Sequence, residues 1–171
     1  NNVVVDPNNG EIVYVGTRRD GLYRTTEGGA TFDLAPHPDI PTDPDTGGNV
    51  GCRSIVIDPS QTLSTPLRSK SVYVSAYTVG IFHSSDGGQS FALIENSPKL
   101  TRWMKRAPDG TLYVVQNQGN GLWKYDGAWT QVKNGEFAAL AVDPHDKTGR
   151  SIVLGTPNSP GAILRSTDGG A

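Results

Sequence analysis

Short apolar runs alternate with turns rich in glycine and proline along the whole chain. In the first part of the chain these runs lie at residues 3–5, 12–15 and 22–24, with polar turn residues between them. Such runs are typical of β-strands, and the sequence has hardly any helical periodicity. A further run at residues 31–35 completes a set of antiparallel strands of the size of one β-propeller blade.

The same order of runs recurs along the rest of the chain. The resulting repeats cover residues 1–36, 53–96, 100–133 and 136–171, and the last of them lacks its final strand. We therefore predict an all-β fold, a β-propeller with about four four-stranded antiparallel blades visible, as part of a larger ring of about seven. The first turn of the second repeat is lengthened at residues 60–70, and we expect a surface excursion there.

Three segments, called here the box segments, share the pattern Ser/Thr-x-Asp/Glu-x-Gly-x-Ser/Thr-aromatic. They lie at residues 25–32, 84–91 and 166–171, and the third stops before the last two positions of the pattern. In such a turn the glycines accept positive φ, the carboxylate and hydroxyl groups bind the turn's own backbone, and the aromatic holds the returning strand. The motif residues are Glu27, Gly29, Phe32, Asp86, Gly88, Phe91, Asp168 and Gly170.

The pattern is identified as the Asp-box, or bacterial neuraminidase repeat. That resemblance implies a β-propeller and a structural role for the motif, because the box holds a turn together and performs no chemistry.

Composition narrows the range of functions. A net charge of −2 argues against a nucleic-acid or anionic-membrane partner held by bulk electrostatics. The only cysteine, Cys52, excludes an internal disulfide framework and a cysteine-based zinc site. No apolar run approaches the roughly 20 residues that span a bilayer. Because the chain begins at Asn1, shows no leader pattern and stops inside a box segment, we expect it to be a piece of a longer protein.

Antiparallel strands separate the loops of a blade into two faces. The box segments and Asp-Pro turns share one face; the turns between second and third strands and the links between blades form the other, called here the link face. Its aromatic, amide and charged side chains suit a neutral sugar, which needs a flat apolar surface and paired polar groups. The bland alternative is that exposed turns are polar. The candidate substrate-binding residues are Arg18, Arg19, Asp20, Tyr77, Trp103, Asn117, Asn120 and Asn158.

Two other groups of polar residues are weaker candidates for a catalytic or metal-binding site. Asp39, Asp43 and Asp45 are candidates for the paired carboxylates of glycoside hydrolysis, but their proline-rich surroundings favour a solvated loop. The histidines His37, His83 and His145 lack metal-ligand spacing. We therefore assign no catalytic residue, metal or cofactor.

Residues 13–24, Val-Tyr-Val-Gly-Thr-Arg-Arg-Asp-Gly-Leu-Tyr-Arg, resemble a blade of glycoside hydrolase family 74, the xyloglucan-cleaving endoglucanases and cellobiohydrolases. Residues 109–125 are similar to a later blade of that family, and residues 141–144 with 165–170 to the blade after it. The resemblance implies two seven-bladed propellers with a glucan cleft between them, inverting hydrolysis by two aspartates, and secretion from the cell.

The resemblance carries no catalytic aspartate onto this chain. One of the family's acids lies in a Thr-Asp-x-Gly-Gly context, where this sequence has Thr17-Arg18, and the other lies beyond a stretch like this one. The expected role is therefore scaffold and sugar-binding loops within a longer glycan-active protein, with a β-glucan or other polysaccharide as the partner.

Two alternatives stay open at this point. One is a non-catalytic propeller that binds protein partners, like sortilin-type receptors or photosystem-assembly propellers; the other is a surface repeat protein whose blades are purely structural. In either case the remaining blades or a protein partner would close the ring. Aromatics on the link face favour glycan, and here Tyr77 and Trp103 qualify. A sialidase is disfavoured, since Ile40-Pro41 follows Asp39 where those enzymes carry arginine.

Overall fold

The computed structural model describes residues 2–33, 36–42 and 50–170, and in these residues the secondary structure is entirely strand and turn. The chain forms two compact units, Asn1–Lys99 and Leu100–Ala171. Unit 1 contains β1 (Asn2–Asp6), β2 (Asn9–Gly16), β3 (Leu22–Thr25), β4 (Cys52–Ser64), β5 (Leu67–Ala76), β6 (Gly80–Ser84) and β7 (Ala92–Leu93). Unit 2 contains β8 (Thr101–Arg106), β9 (Leu112–Gln116), β10 (Leu122–Tyr125), β11 (Trp129–Lys133), β12 (Ala139–Val142), β13 (Ile152–Gly155) and β14 (Ile163–Ser166).

Each unit holds two antiparallel sheets whose strands follow one another in chain order. The sheets are β1-β2-β3 and β4-β5-β6-β7 in unit 1, and β8-β9-β10-β11 and β12-β13-β14 in unit 2. The fourth strand expected in the first sheet is only begun: the Asp33 backbone N–H donates to the Arg24 carbonyl at 2.9 Å. The rest of that strand, and Asp43 and Asp45, lie outside the described residues.

The core of unit 1 lies between its two sheets. Side chains alternate along a strand, so one face of β2 carries Ile12 and Tyr14 inward. Across from them lie Val72 and Val74 of β5, and all four are at most 2% exposed. Phe91, from the second box segment, belongs to the same apolar cluster.

Unit 2 repeats this arrangement. Leu122 of β10 packs with Ile152 and Leu154 of β13, and Phe137 and Leu140 close the cluster. In both units the apolar cluster therefore combines strand residues of both sheets with a phenylalanine, Phe91 or Phe137, from outside the strands.

The lengthened turn at residues 60–70 is an outward continuation of the hairpin β4–β5, and most of its residues are exposed. Contacts with the first sheet hold this extension. The buried Asp6 carboxylate accepts hydrogen bonds from the Ser69 backbone N–H at 2.7 Å and from the Ser69 hydroxyl at 2.6 Å. The Asn9 side-chain amide donates to the Leu67 carbonyl at 2.8 Å. The extra strand length thus ties the two sheets of unit 1 together.

Two sheet faces leave apolar side chains in solvent. On β1 in unit 1, Val3 is 66% and Val5 51% exposed; in unit 2, Ile163 of β14 is 82% exposed and Val153 of β13 is 37% exposed. Among the described residues, no helix is long and apolar enough to cross a membrane.

Candidate functional site

The second box segment is held by its own carboxylate. The Asp86 side chain accepts hydrogen bonds from the Gln89 and Ser90 backbone N–H groups at 2.9 and 3.0 Å, and from the Ser90 and Ser84 hydroxyls at 2.6 and 2.7 Å. Burial by itself would raise the pKa of Asp86, but these hydrogen bonds outweigh it and lower the pKa to about 2. The aspartate is therefore a constitutive anion that organises the turn.

The other two box segments use the same groups less completely. In the first, Thr25 Oγ1 accepts from the Glu27 and Gly29 backbone N–H groups, but Phe32 is 40% exposed where Phe91 is 7% exposed. In the third, Ser166 Oγ accepts from the Gly170 N–H at 2.7 Å and donates to Asp168. These contacts stay within the turn, as expected for a structural motif.

In unit 1 the second box segment is also the contact point between the two sheets. Tyr14 of β2 donates its hydroxyl to the Gly87 carbonyl at 3.0 Å, and Arg24 donates to the Gly88 carbonyl at 2.9 Å. Burial raises the pKa of Tyr14 to about 12, against the opposing influence of Arg24. A Cβ at Gly88 would collide with the Tyr14 hydroxyl, so a glycine is required there.

Unit 2 makes an equivalent contact from the same strand position. Tyr113 of β9 donates its hydroxyl to the Gly149 carbonyl at 3.0 Å. The sequence pattern marks the central tyrosine of these strands only as a strand residue and does not reveal its contact with the neighbouring sheet.

The link face of unit 1 brings the Arg18–Asp20 turn next to Tyr77. Gly51 lies between them: its carbonyl accepts from the Tyr77 backbone N–H at 3.2 Å, and a Cβ at Gly51 would collide with the Arg18 carbonyl. The Thr17 hydroxyl shapes the turn by donating to the Gly21 carbonyl and accepting from the Asp20 N–H. Arg18, Arg19 and Asp20 remain exposed at this edge.

Arg53 is a residue of this edge that the sequence analysis does not identify. Its guanidinium carbon lies 4.3 Å from the centre of the Tyr77 ring, within the range of a cation–π contact. Its Nε is buried and has no hydrogen-bond partner among the described residues. Arg53 and Tyr77 each follow a member of the antiparallel Cys52–Ala76 pair, and the long Arg53 side chain reaches back to the Tyr77 ring. In the sequence, the only indication of this role is that Arg53 lies next to a buried strand residue.

Cys52 lies beneath this edge and is inert. It is fully buried, and burial raises the pKa of its thiol to about 12. A Cβ at Gly16 would lie 2.8 Å from the Cys52 Cβ, so the two strands approach too closely there for any larger residue.

In unit 2, Trp103 presents an aromatic face in a fixed orientation. The side chain belongs to β8 and is 42% exposed, while its indole N–H donates to the Ala138 carbonyl at 2.8 Å. Ala138 leads into β12, so the hydrogen bond attaches the ring to the first strand of the neighbouring sheet. The indole ring thus presents a partly exposed apolar face while its polar N–H is already hydrogen-bonded.

The asparagines that the sequence predicts as binding residues in unit 2 differ in how far their own turns already use their polar groups. The Asn120 side-chain amide donates to the Asn117 carbonyl at 2.9 Å, and the Asn120 carbonyl accepts from the Trp123 indole at 3.0 Å. Asn120 is thus engaged in its own turn. Asn158 is exposed in the loop between β13 and β14, which the Thr156 hydroxyl closes by accepting from the Ala162 N–H at 2.8 Å.

The candidate carboxylate Asp39 is engaged in structure. It accepts a hydrogen bond from the Phe91 backbone N–H at 2.8 Å, and the neighbouring His37 ring packs edge-on against Phe91 at 4.9 Å. Asp39 and His37 therefore support the second box segment. In the described parts of the chain, no group of His, Cys, Asp or Glu side chains is arranged to hold a metal ion.

Comparisons with known proteins add to this geometry. No family model matches the chain. The chain is 30% identical over 205 residues to the xyloglucanase Xgh74A of Acetivibrio thermocellus, a match that spans 99% of this chain and 24% of the relative. It is 30% identical over 203 residues to a Paenibacillus sp. xyloglucanase, which covers 98% of the chain and 20% of that protein. The GH74 enzyme of Niastella koreensis superimposes with a TM-score of 0.79 at 26% identity, over 99% of this chain and 28% of the enzyme. The chain thus spans about a quarter of the length of the curated relatives.

Proposed function

The resemblance to glycoside hydrolase family 74 and the partial β-propeller fold are confirmed by these relatives, and we propose that the chain is a segment of a secreted xyloglucan-active propeller. Its own part is to provide scaffold and a sugar-binding edge. The catalytic acids of such a protein would lie outside this segment, because Arg18 follows Thr17 where the family's blade has an aspartate.

The observation that carries the sugar-binding role is Trp103. Its ring is partly exposed and its indole N–H is already hydrogen-bonded to Ala138, so stacking of a glucose ring would require no reorganisation. Pre-organised aromatic side chains bind at a low cost in conformational entropy. Asn158, which is exposed in the β13–β14 loop of the same unit, would supply hydrogen bonds to sugar hydroxyls.

In unit 1 the corresponding edge combines Tyr77 and Arg53 with Arg18, Arg19 and Asp20. Arg53 covers one face of the Tyr77 ring at 4.3 Å, and the charged side chains of Arg18 and Asp20 are exposed in the adjoining turn. This edge would recognise hydroxyl groups rather than stack a ring.

The exposed apolar faces fit a segment of a longer ring. Val3 and Val5 on one sheet, and Ile163 on another, are what flanking blades of the same protein would cover. The relatives that match this chain are about four times its length, which leaves room for such blades.

The test is binding of xyloglucan oligosaccharides to the chain, measured by isothermal titration calorimetry. We expect the Trp103→Ala variant to bind about tenfold more weakly, equivalent to about 1.4 kcal/mol. Trp129→Ala is the matched control, since Trp129 lies on β11 next to the Asp126-Gly127 turn, on the box side of its sheet. Equal weakening by both variants, or saturable binding of a protein partner without glycan affinity, would reject the proposal.

A further inference from the structure

The edge of unit 1 that contains Tyr77 is rich in arginine, and Arg53 is the member with an unsatisfied donor. Its guanidinium carbon lies 4.3 Å from the centre of the Tyr77 ring, and its Nε is buried without a hydrogen-bond partner among the described residues. The ring supplies no conventional acceptor, so this contact leaves the guanidinium N–H groups able to donate to a ligand. A buried N–H without an acceptor is unfavourable, and a bound acceptor would relieve that cost.

Arg18 lies close enough to Arg53 to contact the same ligand. A Cβ at Gly51 would lie 2.5 Å from the Arg18 Cα, so the backbones of these two residues touch. Gly51 precedes Arg53 by two positions, which span at most about 7 Å of chain. Two long arginine side chains that start this close together can reach one ligand group.

The charge of this edge is positive. Arg18, Arg19 and Arg53 carry three positive charges, against one negative charge on Asp20 in the same turn. Arg18 and Asp20 are exposed, so water and salt screen their charges, whereas Arg53 is half-buried and is screened less. The excess of positive charge favours an anionic ligand over a neutral one.

Among anionic ligands, a carboxylate suits a guanidinium best. Two parallel N–H groups of arginine donate to the two carboxylate oxygens, and such charge-assisted hydrogen bonds are about twice as strong as neutral ones. The contact with the Tyr77 ring holds the Arg53 guanidinium in place before a ligand arrives, which lowers the entropy cost of binding.

We propose that this edge binds the carboxylate of a uronic acid residue carried by the polysaccharide, with Arg53 as the principal donor and Arg18 as the second. The inference rests on the proposed function, because it names the class of sugar that the same edge selects. Hydroxyl groups are common to neutral and acidic sugars, so the carboxylate is the group that distinguishes the two classes at this edge.

The experiment compares cellobiose with its counterpart in which the non-reducing glucose is glucuronic acid. The two disaccharides differ only in a carboxylate that replaces a hydroxymethyl group, and both are small enough to approach the edge in any orientation. Nuclear magnetic resonance titration of the chain follows the Arg53 Nε–H signal, which an Arg53→Lys variant assigns. We expect the acidic disaccharide to shift this signal and to bind about tenfold more tightly than cellobiose at low salt. The advantage should shrink in about 1 M NaCl.

Three variants locate the effect. Arg53→Gln should remove the advantage of the acidic disaccharide, and Arg18→Gln should reduce it. Arg165→Gln, which removes an exposed arginine on β14 of unit 2, should preserve it. Because Arg18 is exposed, the Arg18→Gln variant keeps the test decisive even if Arg53→Gln fails to fold.

The Trp103 indole signal, followed in the same titrations, separates this inference from the proposed function. Equal affinity for the two disaccharides without a shift of the Arg53 signal would overturn the inference, even where Trp103 shifts and the proposed function stands. An advantage that survives both Arg53→Gln and Arg18→Gln would also overturn it, and so would one that Arg165→Gln removes. A carboxylate-dependent shift of Arg53 without any shift of Trp103 would support the anion site and reject the stacking role of Trp103.

Discussion

Several side chains stabilise the fold of this chain by forming hydrogen bonds with backbone groups. Asp86 is the clearest case, because one carboxylate organises four hydrogen-bond donors of the second box segment. Asp6 does the same between sheets by binding Ser69. Such residues are recognisable in the sequence when their partners are local, as for Asp86, and hidden when the partner is 63 positions away, as for Asp6.

The Asp86 carboxylate makes stability depend on pH in the acid range. Its pKa in the folded protein is about 2, below the ordinary value of 3.8, so its contribution is complete above about pH 4 and is lost as pH falls toward 2. We expect Asp86→Asn to reduce the free energy of unfolding by about 1–2 kcal/mol at pH 7. The gap between the two proteins should narrow between pH 4 and pH 2.

Urea unfolding followed by far-UV circular dichroism at a series of pH values measures this gap. Asp33→Asn, at an exposed position, is the matched control and should stay within about 0.5 kcal/mol of the parent chain. A gap for Asp86→Asn that is constant from pH 4 to pH 2 would show that the hydrogen-bonded carboxylate is not the cause.

Among the strands, β2 and β9 also contact the neighbouring sheet, a role that their sequence pattern does not reveal. The alternation in Val13-Tyr14-Val15 and Leu112-Tyr113-Val114 predicts strands correctly. It does not reveal that both tyrosines donate hydrogen bonds to the adjacent sheet, because that contact depends on how sheets pack and not on the strand itself.

The Tyr14 hydroxyl should therefore contribute measurably to the packing of the two sheets in unit 1. We expect Tyr14→Phe to lower the free energy of unfolding by about 1–2 kcal/mol, since it leaves the buried Gly87 carbonyl without its donor. Tyr23→Phe is the control, because Tyr23 is half-buried on β3 and its hydroxyl makes no hydrogen bond among the described residues. Similar losses for both variants in thermal or urea unfolding would contradict this role.

The hairpin β4–β5 shows what the sequence pattern does not reveal. Residues 60–70 are polar and contain a proline, which favours a loop in isolation. Their strand conformation depends on Asp6, Asn8 and Asn9, which are distant in sequence. The site shows the same limit: Tyr77 and Trp103 were predictable as exposed aromatics, but Arg53 gains its place over Tyr77 only through the pairing of β4 with β5.

At the scale of the whole molecule, the chain is a repetitive all-β protein related to xyloglucanases. Its repeats supply the strands, while most of the candidate sugar-binding residues lie in the turns of the link face. This division explains why the fold was predictable from the repeated pattern and the ligand-binding residues only partly so: repeats identify scaffold positions, and contact with a sugar depends on single exposed side chains such as Trp103.

The central claim, that Trp103 forms part of a xyloglucan-binding edge, is tested most directly by nuclear magnetic resonance. The chain has only three indole N–H signals, which single Trp→Phe variants would assign. Titration with a xyloglucan oligosaccharide should shift the Trp103 signal, with a smaller or no shift for Trp129, which lies on the box side of its sheet. A shift confined to Trp129, or no shift at saturating oligosaccharide, would contradict the account.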